Sequence, residues 1–184
     1  VMCFAGAANS FNDFIDFKID QINKPNRPIP SGKVKRKSAL FITILLFFIG
    51  SFFCFNLNKY AIIVGFFVSL PLIVFYSIVF KGLPLIGNII TSLILSLAFI
   101  FCGAAFDNIP QMVVPALLAF GLTLLREIIK DISDIKGDKM LGLKTLPVCI
   151  GLHQTCNLAI FFCSVIFFCS LIPFVNGLYG IWYL

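Results

Sequence analysis

Charge is what this sequence has least of. Its 184 residues include 14 Lys and Arg, 8 Asp and Glu and one histidine, against 60% hydrophobic residues. That balance excludes a soluble enzyme, a secreted disulfide scaffold and a disordered regulator, none of which is so poor in charge and so rich in apolar side chains. The seven cysteines form no Cys-x-x-Cys pair, and only His153 could join them as an imidazole, so zinc and haem have no ligand set. Ten-residue segments of alternating hydrophobicity are also missing, which argues against a membrane β-barrel. The apolar start, Val1–Phe11, has no basic n-region and is followed by an acidic stretch, so it fits a signal peptide poorly.

Long uncharged runs fill the rest: Ser38–Asn58, Tyr60–Phe80, Gly82–Phe106, Asn108–Leu125 and Thr145–Leu184. The first four have about 18 to 25 residues each, enough to cross a hydrocarbon core of roughly 30 Å at about 1.5 Å per residue, and the fifth suffices for about two crossings. With a mean hydropathy of +1.04, the expected fold is all-α, a polytopic membrane helix bundle in a single domain over 1–184. The start at Val1 without Met, and the stop at Leu184 inside an apolar stretch, read as the middle of a longer protein. Pro71 and Pro115 are expected to kink or locally break helices, and Pro173 with Asn176 and Gly177 to form a turn between spans. The 23 phenylalanines read as bundle-packing or lipid-facing side chains.

Successive loops must alternate sides. Asp13–Lys37, Lys81 and Arg126–Lys144 share one side and carry thirteen of the fourteen basic residues, leaving Lys59 on the other. The positive-inside rule makes the first side cytoplasmic, in a cell membrane. The net charge of +6 suits a bilayer surface rather than nucleic acid, because the basic residues flank spans. Seven of the eight acids lie on the same side, with Asp107 apart. Topology does not explain them.

Those acids form two clusters. In the first, Asn12, Asp16 and Asp20 recur at i, i+4 and i+8, so a helix running to about Asp20 stacks them on one face while Asp13 turns away. Pro25, Pro28, Pro30 and Gly32 then end the helix in a fixed loop bearing Lys24 and Arg27. In the second, Arg126, Lys130, Asp134 and Asp138 form an i, i+4 ladder with Asp131 beside it, and Gly137 and Gly142 are expected to loosen the helix near Asp138. Like charges at that spacing repel, and a bound cation would remove the repulsion. One such cluster reads as a solvated, salt-bridged face. Two matched ones on one side of a membrane fit a magnesium-diphosphate site, since magnesium prefers a few carboxylate oxygens plus substrate phosphates and cationic side chains neutralise the rest.

The string Asn12-Asp13-x-x-Asp16-x-x-x-Asp20 with Asn-Lys-Pro-Asn-Arg-Pro-Ile-Pro-Ser-Gly (Asn23 to Gly32), and Asp131-x-x-Asp134-x-x-x-Asp138 with Thr145-Leu-Pro147, resemble the two signature regions of the UbiA superfamily of intramembrane prenyltransferases. Tyr76-Ser-Ile-Val-Phe-Lys81 resembles a third family feature. The resemblance covers essentially the whole chain. It implies a bundle of nine transmembrane helices around a cavity open to lipid, of which about six to seven would be wholly or partly present here, with the first and ninth absent. It implies Mg2+ as cofactor, held by Asn12, Asp16 and Asp20 on one side and by Asp134 and Asp138, assisted by Asp131, on the other. Asp16, Asp20, Asp134 and Asp138 would be catalytic. Arg27, Tyr76, Lys81, Lys130 and Arg126 would bind the diphosphate of a polyprenyl substrate. The stretch from Arg126 to Asp138 with Leu-Gly-x-Lys-Thr-Leu-Pro is most similar to the branch that transfers geranylgeranyl from its diphosphate to geranylgeranylglyceryl phosphate in ether-lipid synthesis. Aromatic-acceptor and chlorophyll-type members share parts of the pattern and remain alternatives. A cation transporter is the rival of another class, but it calls for acids in mid-span, and these lie at span ends. No base is identified, and Glu127, Asn88 and Asn108 have no assigned role.

Overall fold

Inside hydrocarbon a backbone N–H or C=O finds no water, so a chain this apolar has to satisfy its peptide groups within helices. The computed structural model describes residues 1–140 and 142–183, with only the backbone of Asn23. Leu141, first residue of the Leu-Gly-x-Lys-Thr-Leu-Pro stretch, and Leu184 lie outside the described residues. All regular elements among the described residues are helical. In order they are α1 (Met2–Ile15), α2 (Phe17–Asn23), α3 (Arg36–Phe55), a composite rod Lys59–Phe80, α6 (Ile86–Ala105), α7 (Ile109–Met140), α8 (Leu146–Ile150), α9 (Leu152–Val175) and a short 3-10 turn, Ile181–Tyr183. The rod joins α4 (Lys59–Ile62) and α5 (Leu70–Phe75) through π-helical stretches at Ile63–Ser69 and Tyr76–Phe80.

Five of these helices are long and apolar enough to cross a membrane: α3, the Lys59–Phe80 rod, α6, α7 and α9. The chain is an integral membrane protein. Its largest side chains point outward, with Phe48 71% and Phe168 66% exposed, as expected where the surrounding solvent is lipid. Contacts between helices rely on close approach instead. α6 packs along α7, α1 along α3 and α9 along α7, with a small core of Leu124, Ile128, Leu146 and Ala159 flanked by Phe120 and Phe162. Buried hydroxyls are returned to the preceding turn: Thr43 donates to the Ala39 carbonyl (2.9 Å), Ser92 to Asn88 (2.6 Å) and Thr155 to Gly151 (2.8 Å).

Several sequence expectations change here. The stretch 145–184 holds one membrane-length helix, α9, among its described residues. Pro173 belongs to the last turn of α9, and the chain reverses after it, at Asn176 and Gly177 (φ +68°), where the amides of Leu178 and Tyr179 bond back to the Pro173 carbonyl. α7 runs through Pro115 without a break and packs against α6. It also continues past Gly137 to Met140, so Asp138 keeps its helical phase, and the turn is taken by Gly142 (φ +68°) with the Leu143 amide on the Asp138 carbonyl.

The end of the bundle far from the acidic clusters is fastened by Asn58. Its Oδ1 accepts from the Ala61 amide (2.9 Å), capping the Lys59–Phe80 rod, while Nδ2 donates to the Ala104 carbonyl (2.5 Å) and to Asp107 Oδ1 (3.1 Å). Asp107 itself holds a left-handed φ of 53° in the tight α6–α7 turn. Asn58→Ala removes the cap and two cross-helix bonds together. It should lower unfolding free energy by about 1–2 kcal/mol, read as an earlier thermal transition in detergent; an unchanged transition would show that the cap is dispensable.

Candidate active site

The two acidic clusters meet at the opposite end. α1 stops at Ile15, Asp16 (φ −79°, ψ 3°) forms the joint, and α2 resumes at Phe17. The i→i−4 bonds survive the joint, from the Asp16 amide to the Asn12 carbonyl and from Asp20 to Asp16, both 2.8 Å. The expected stacking of Asn12, Asp16 and Asp20 therefore holds across a short interruption. The second cluster lies along the last turns of α7. Between them is a cavity of about 240 Å3, whose lining includes Asp16, Asp20, Lys24, Arg27, Tyr76, Ser77, Lys81, Gly87, Asn88, Glu127, Lys130, Asp131, Asp134, Asp138 and Thr145. Of the residues proposed from sequence, Asp16, Asp20, Arg27, Tyr76, Lys81, Lys130, Asp131, Asp134 and Asp138 line it, and Asn12 and Arg126 do not.

Each buried acid has a partner suited to its place. Lys81 Nζ donates to Asp16 Oδ2, whereas Asp16 Oδ1 is buried and accepts no hydrogen bond. Arg27 spans Asp13 (3.0 Å) and Asp20 (2.7 Å) through one guanidinium nitrogen, so Asp13 does not turn away but anchors the basic loop. Asn88 donates to Asp131 (2.8 Å) and Thr145 Oγ1 to Asp138 Oδ2 (2.9 Å). Thr145 also stands at the N-terminus of α8, where its carbonyl accepts from the Val148 and Cys149 amides (both 3.0 Å) and Pro147 helps to start the helix. Asn12 uses its side-chain oxygen to accept from Ser77 Oγ (2.6 Å), tying α1 to the Lys59–Phe80 rod one turn below Asp16.

The rod's irregular end sets Tyr76 and Lys81. The Lys81 amide bonds to the Tyr76 carbonyl five residues back (3.1 Å). In an α-helix residues five apart diverge by about 140°, but the wider π turn brings both side chains to the same cavity, as π segments at functional sites commonly do. Gly87 allows this end to sit close to α6, since a Cβ there would meet the Phe80 carbonyl oxygen at 3.0 Å and that of Lys81 at 3.3 Å. Burial first, and the neighbouring Lys130 ammonium second, lower the Lys81 ammonium to about 8, against the opposite pull of Asp13 and Glu127. It stays mostly protonated at pH 7.

Arg126 has a different place from the one its sequence position suggested. Its side chain is 72% exposed and reaches Glu127 Oε1 at 2.5 Å. The Lys130 ammonium approaches Glu127 Oε2 at 3.4 Å. Glu127 and Asn88, to which sequence reasoning gave no role, are both buried in the cavity wall. Glu127 stands at i−4 from Asp131, the same spacing that relates the other acids. Asn88 carries no charge in an apolar run, and nothing in the sequence signals its bond to Asp131.

The donor chemistry suits a hard cation that brings further oxygen ligands with it. Six carboxylates (Asp16, Asp20, Glu127, Asp131, Asp134, Asp138) face four cationic side chains (Lys24, Arg27, Lys81, Lys130), so a polyanion could enter only with added positive charge. Among the described residues no three acids converge tightly enough to cage a metal alone. Magnesium usually takes one or two carboxylates together with phosphate oxygens and water. The unpartnered Asp16 Oδ1 is an oxygen such an ion could use.

A second cavity, about 310 Å3, is formed by α1, α3, the Lys59–Phe80 rod and α6 farther from the charges, lined by Phe4, Ala5, Ala8, Gly50, Cys54, Gly65, Ser69, Ile73, Ile94, Leu95, Ala98 and Phe101 among others. Bundle and cavities together define a membrane protein with a charged chamber at one end and an apolar one beyond it. The whole chain, residues 1–184, matches the UbiA prenyltransferase family. It belongs to that family. Similar curated proteins include the digeranylgeranylglyceryl phosphate synthases of Methanosarcina mazei (38% identity over 187 residues) and Methanosarcina barkeri (40% over 186), each matched over 100% of this chain and 64% of its own length. The chain thus spans just under two thirds of those relatives. A solved structure concerned with digeranylgeranylglyceryl phosphate synthase in membranes superposes with a TM-score of 0.74 at 33% identity, covering 96% of this chain and 63% of the other. A UbiA homologue from Archaeoglobus fulgidus bound to GPP and Mg2+ superposes at 0.77 with 19% identity, covering 96% and 64%, and shows the fold alone.

Thr145→Val keeps the side-chain shape but leaves the buried Asp138 without its hydroxyl donor. Stability should fall by about 1–3 kcal/mol, seen as a lower midpoint of denaturation in detergent, and a midpoint equal to wild type would mean that Asp138 finds another partner.

Proposed function

We propose that the protein transfers a polyprenyl group, geranylgeranyl above all, from its diphosphate to a membrane-associated acceptor, and that this acceptor is geranylgeranylglyceryl phosphate. The observation that carries the reading is the single chamber into which both Asp clusters and four cationic side chains converge. The names of the similar curated proteins support the acceptor. The prenyltransferase family match supports the donor class, and the solved homologues from Archaeoglobus fulgidus that share the fold are bound to GPP and Mg2+ and to DMAPP and Mg2+.

In this reading Arg27, Lys24, Lys81 and Lys130 grip the diphosphate, with Tyr76 beside them. The prenyl chain extends into the apolar cavity of Phe4, Gly65, Ile73 and Phe101, which places hydrocarbon against hydrocarbon. Asp16, Asp20, Asp134 and Asp138, assisted by Asp131 and, through its contact with Ser77, by Asn12, would hold Mg2+. When bound, Mg2+ would neutralise the charge that collects on the diphosphate as the allylic C–O bond breaks. Cationic side chains already fixed by Asp16, Asp20 and Glu127 stabilise the same charge without reorganising. The low-water interior protects the allylic centre until the acceptor reaches it. Arg126 acts from outside by holding Glu127. By the positive-inside rule the charged chamber opens on the cytoplasmic face of the cell membrane. The apolar second cavity offers no carboxylate path across the bilayer, which speaks against cation transport.

The test uses intact protein in membranes with radiolabelled geranylgeranyl diphosphate, Mg2+ and, in parallel, geranylgeranylglyceryl phosphate or an aromatic acid. A lipid product is expected with the first acceptor, abolished by chelation and lowered at least about a hundredfold by Asp16→Ala or Asp134→Ala. Product only from the aromatic acid would move the protein to the aromatic-acceptor branch. Failure of folded wild-type protein to bind any prenyl diphosphate would sink the prenyltransferase reading.

A further inference from the structure

We propose that Glu127 is the catalytic base of the transfer, taking the proton of an alcohol acceptor, and that the wall it shares with Asn88 and Tyr76 is the acceptor's side of the chamber. The inference rests on the prenyl-transfer reading above. Among the cavity's carboxylates Glu127 alone stands outside the two Asp clusters. Along α7 it precedes Asp131 by four residues and Asp138 by eleven, which places it about 6 Å and about 16 Å farther along the helix axis toward the apolar cavity. In a prenyl diphosphate the reacting carbon follows directly on the ester oxygen. With the phosphates among the Asp clusters and the chain in the apolar cavity, that carbon falls between them, at the depth of Glu127.

The local geometry suits proton transfer. Glu127 is 7% exposed yet lines the chamber. Arg126 fixes Oε1 from the outer side at 2.5 Å, and Lys130 reaches Oε2 at only 3.4 Å. A carboxylate has about four acceptor sites, so two donors leave room for a substrate hydroxyl. In the step, the ester C–O bond breaks and its electron pair leaves with the diphosphate. The acceptor's hydroxyl oxygen forms the new C–O bond with a lone pair, and its proton passes to a Glu127 oxygen. The oxygen of an alcohol so alkylated is strongly acidic, so a carboxylate held by two cations is basic enough. Position matters here more than proton affinity.

The experiment compares intact wild-type protein with Glu127→Gln and Glu127→Asp in proteoliposomes. The donor is geranylgeranyl diphosphate carrying 18O in the bridging position. The acceptors are geranylgeranylglyceryl phosphate and its analogue with a thiol in place of the hydroxyl, which is far more acidic than an alcohol, with a pKa of roughly 8.5 or above, and depends less on a base. Glu127→Gln should lower kcat with the alcohol about a hundredfold and with the thiol less than about tenfold, and Glu127→Asp should recover part of the loss. Donor binding, which reports folding, should persist, and exchange of 18O out of the bridge, which reports C–O cleavage, should fall by no more than thiol transfer does, the share owed to the loosened Lys130. The proposal is overturned if Glu127→Gln keeps alcohol transfer within about threefold, if alcohol and thiol transfer fall by the same factor, or if the variant no longer binds donor and the carboxylate is therefore structural. Wild-type protein that neither transfers nor exchanges the label would instead overturn prenyl transfer itself, and the base with it.

Discussion

Carboxylates at the edge of a low-dielectric bundle must be compensated, and the rest of this structure depends on how that is done. A buried charge without a partner costs several kcal/mol, so Lys81 answers Asp16, Arg27 bridges Asp13 and Asp20, and Arg126 with Lys130 flanks Glu127. Compensation is incomplete in one informative way. The chamber retains more acids than bases and one buried oxygen, Asp16 Oδ1, without a donor. Such a site is disposed to accept cation and anion together, because either alone would leave charge exposed to an apolar interior.

The helices that carry these groups depart from regular geometry where they meet the chamber, and the Lys59–Phe80 rod departs from it again at Ile63–Ser69, beside the apolar cavity. α1 breaks at Asp16, the Lys59–Phe80 rod widens into π turns before Lys81, and α6 begins after Leu85 at a left-handed φ of 61°. The π turn redirects side chains that a straight helix would have sent apart, since it brings Tyr76 and Lys81 to one cavity. Departures of this kind concentrate at functional sites, because the surrounding structure must hold conformations the local sequence does not favour. Gly87 shows what that requires, a backbone without a side chain where two elements nearly touch.

The two cavities share helices but differ in chemistry. The polar one is built from helix ends and loops, the apolar one from the flanks of α1, α3, the Lys59–Phe80 rod and α6. An amphiphile with a charged head and a hydrocarbon chain would match that division. The outer surface follows the reverse logic of soluble proteins: phenylalanines face out, and small hydroxyl residues bonded to their own helix face in.

Much of this was legible in the sequence. Uncharged runs long enough to span a bilayer admit only helices, and i+4 spacing puts Asn12, Asp16 and Asp20 on one face whatever the helix packs against. Tertiary packing decided what spacing could not. Asp13 is drawn in by Arg27, fourteen residues away in sequence; Arg126 is turned outward although it shares the ladder of Lys130; Asn88 and Ser77 reach Asp131 and Asn12 across the bundle. Glu127 shows the boundary most clearly, since sequence fixes its phase on α7 and only the neighbouring elements determine that this phase faces the chamber. Periodicity is a property of one helix and follows from its backbone geometry, whereas the side on which a cavity opens depends on the elements packed around that helix. In this protein the sequence by itself determined the helices and the spacing of their acids, and the tertiary structure decided which of those acids share a site.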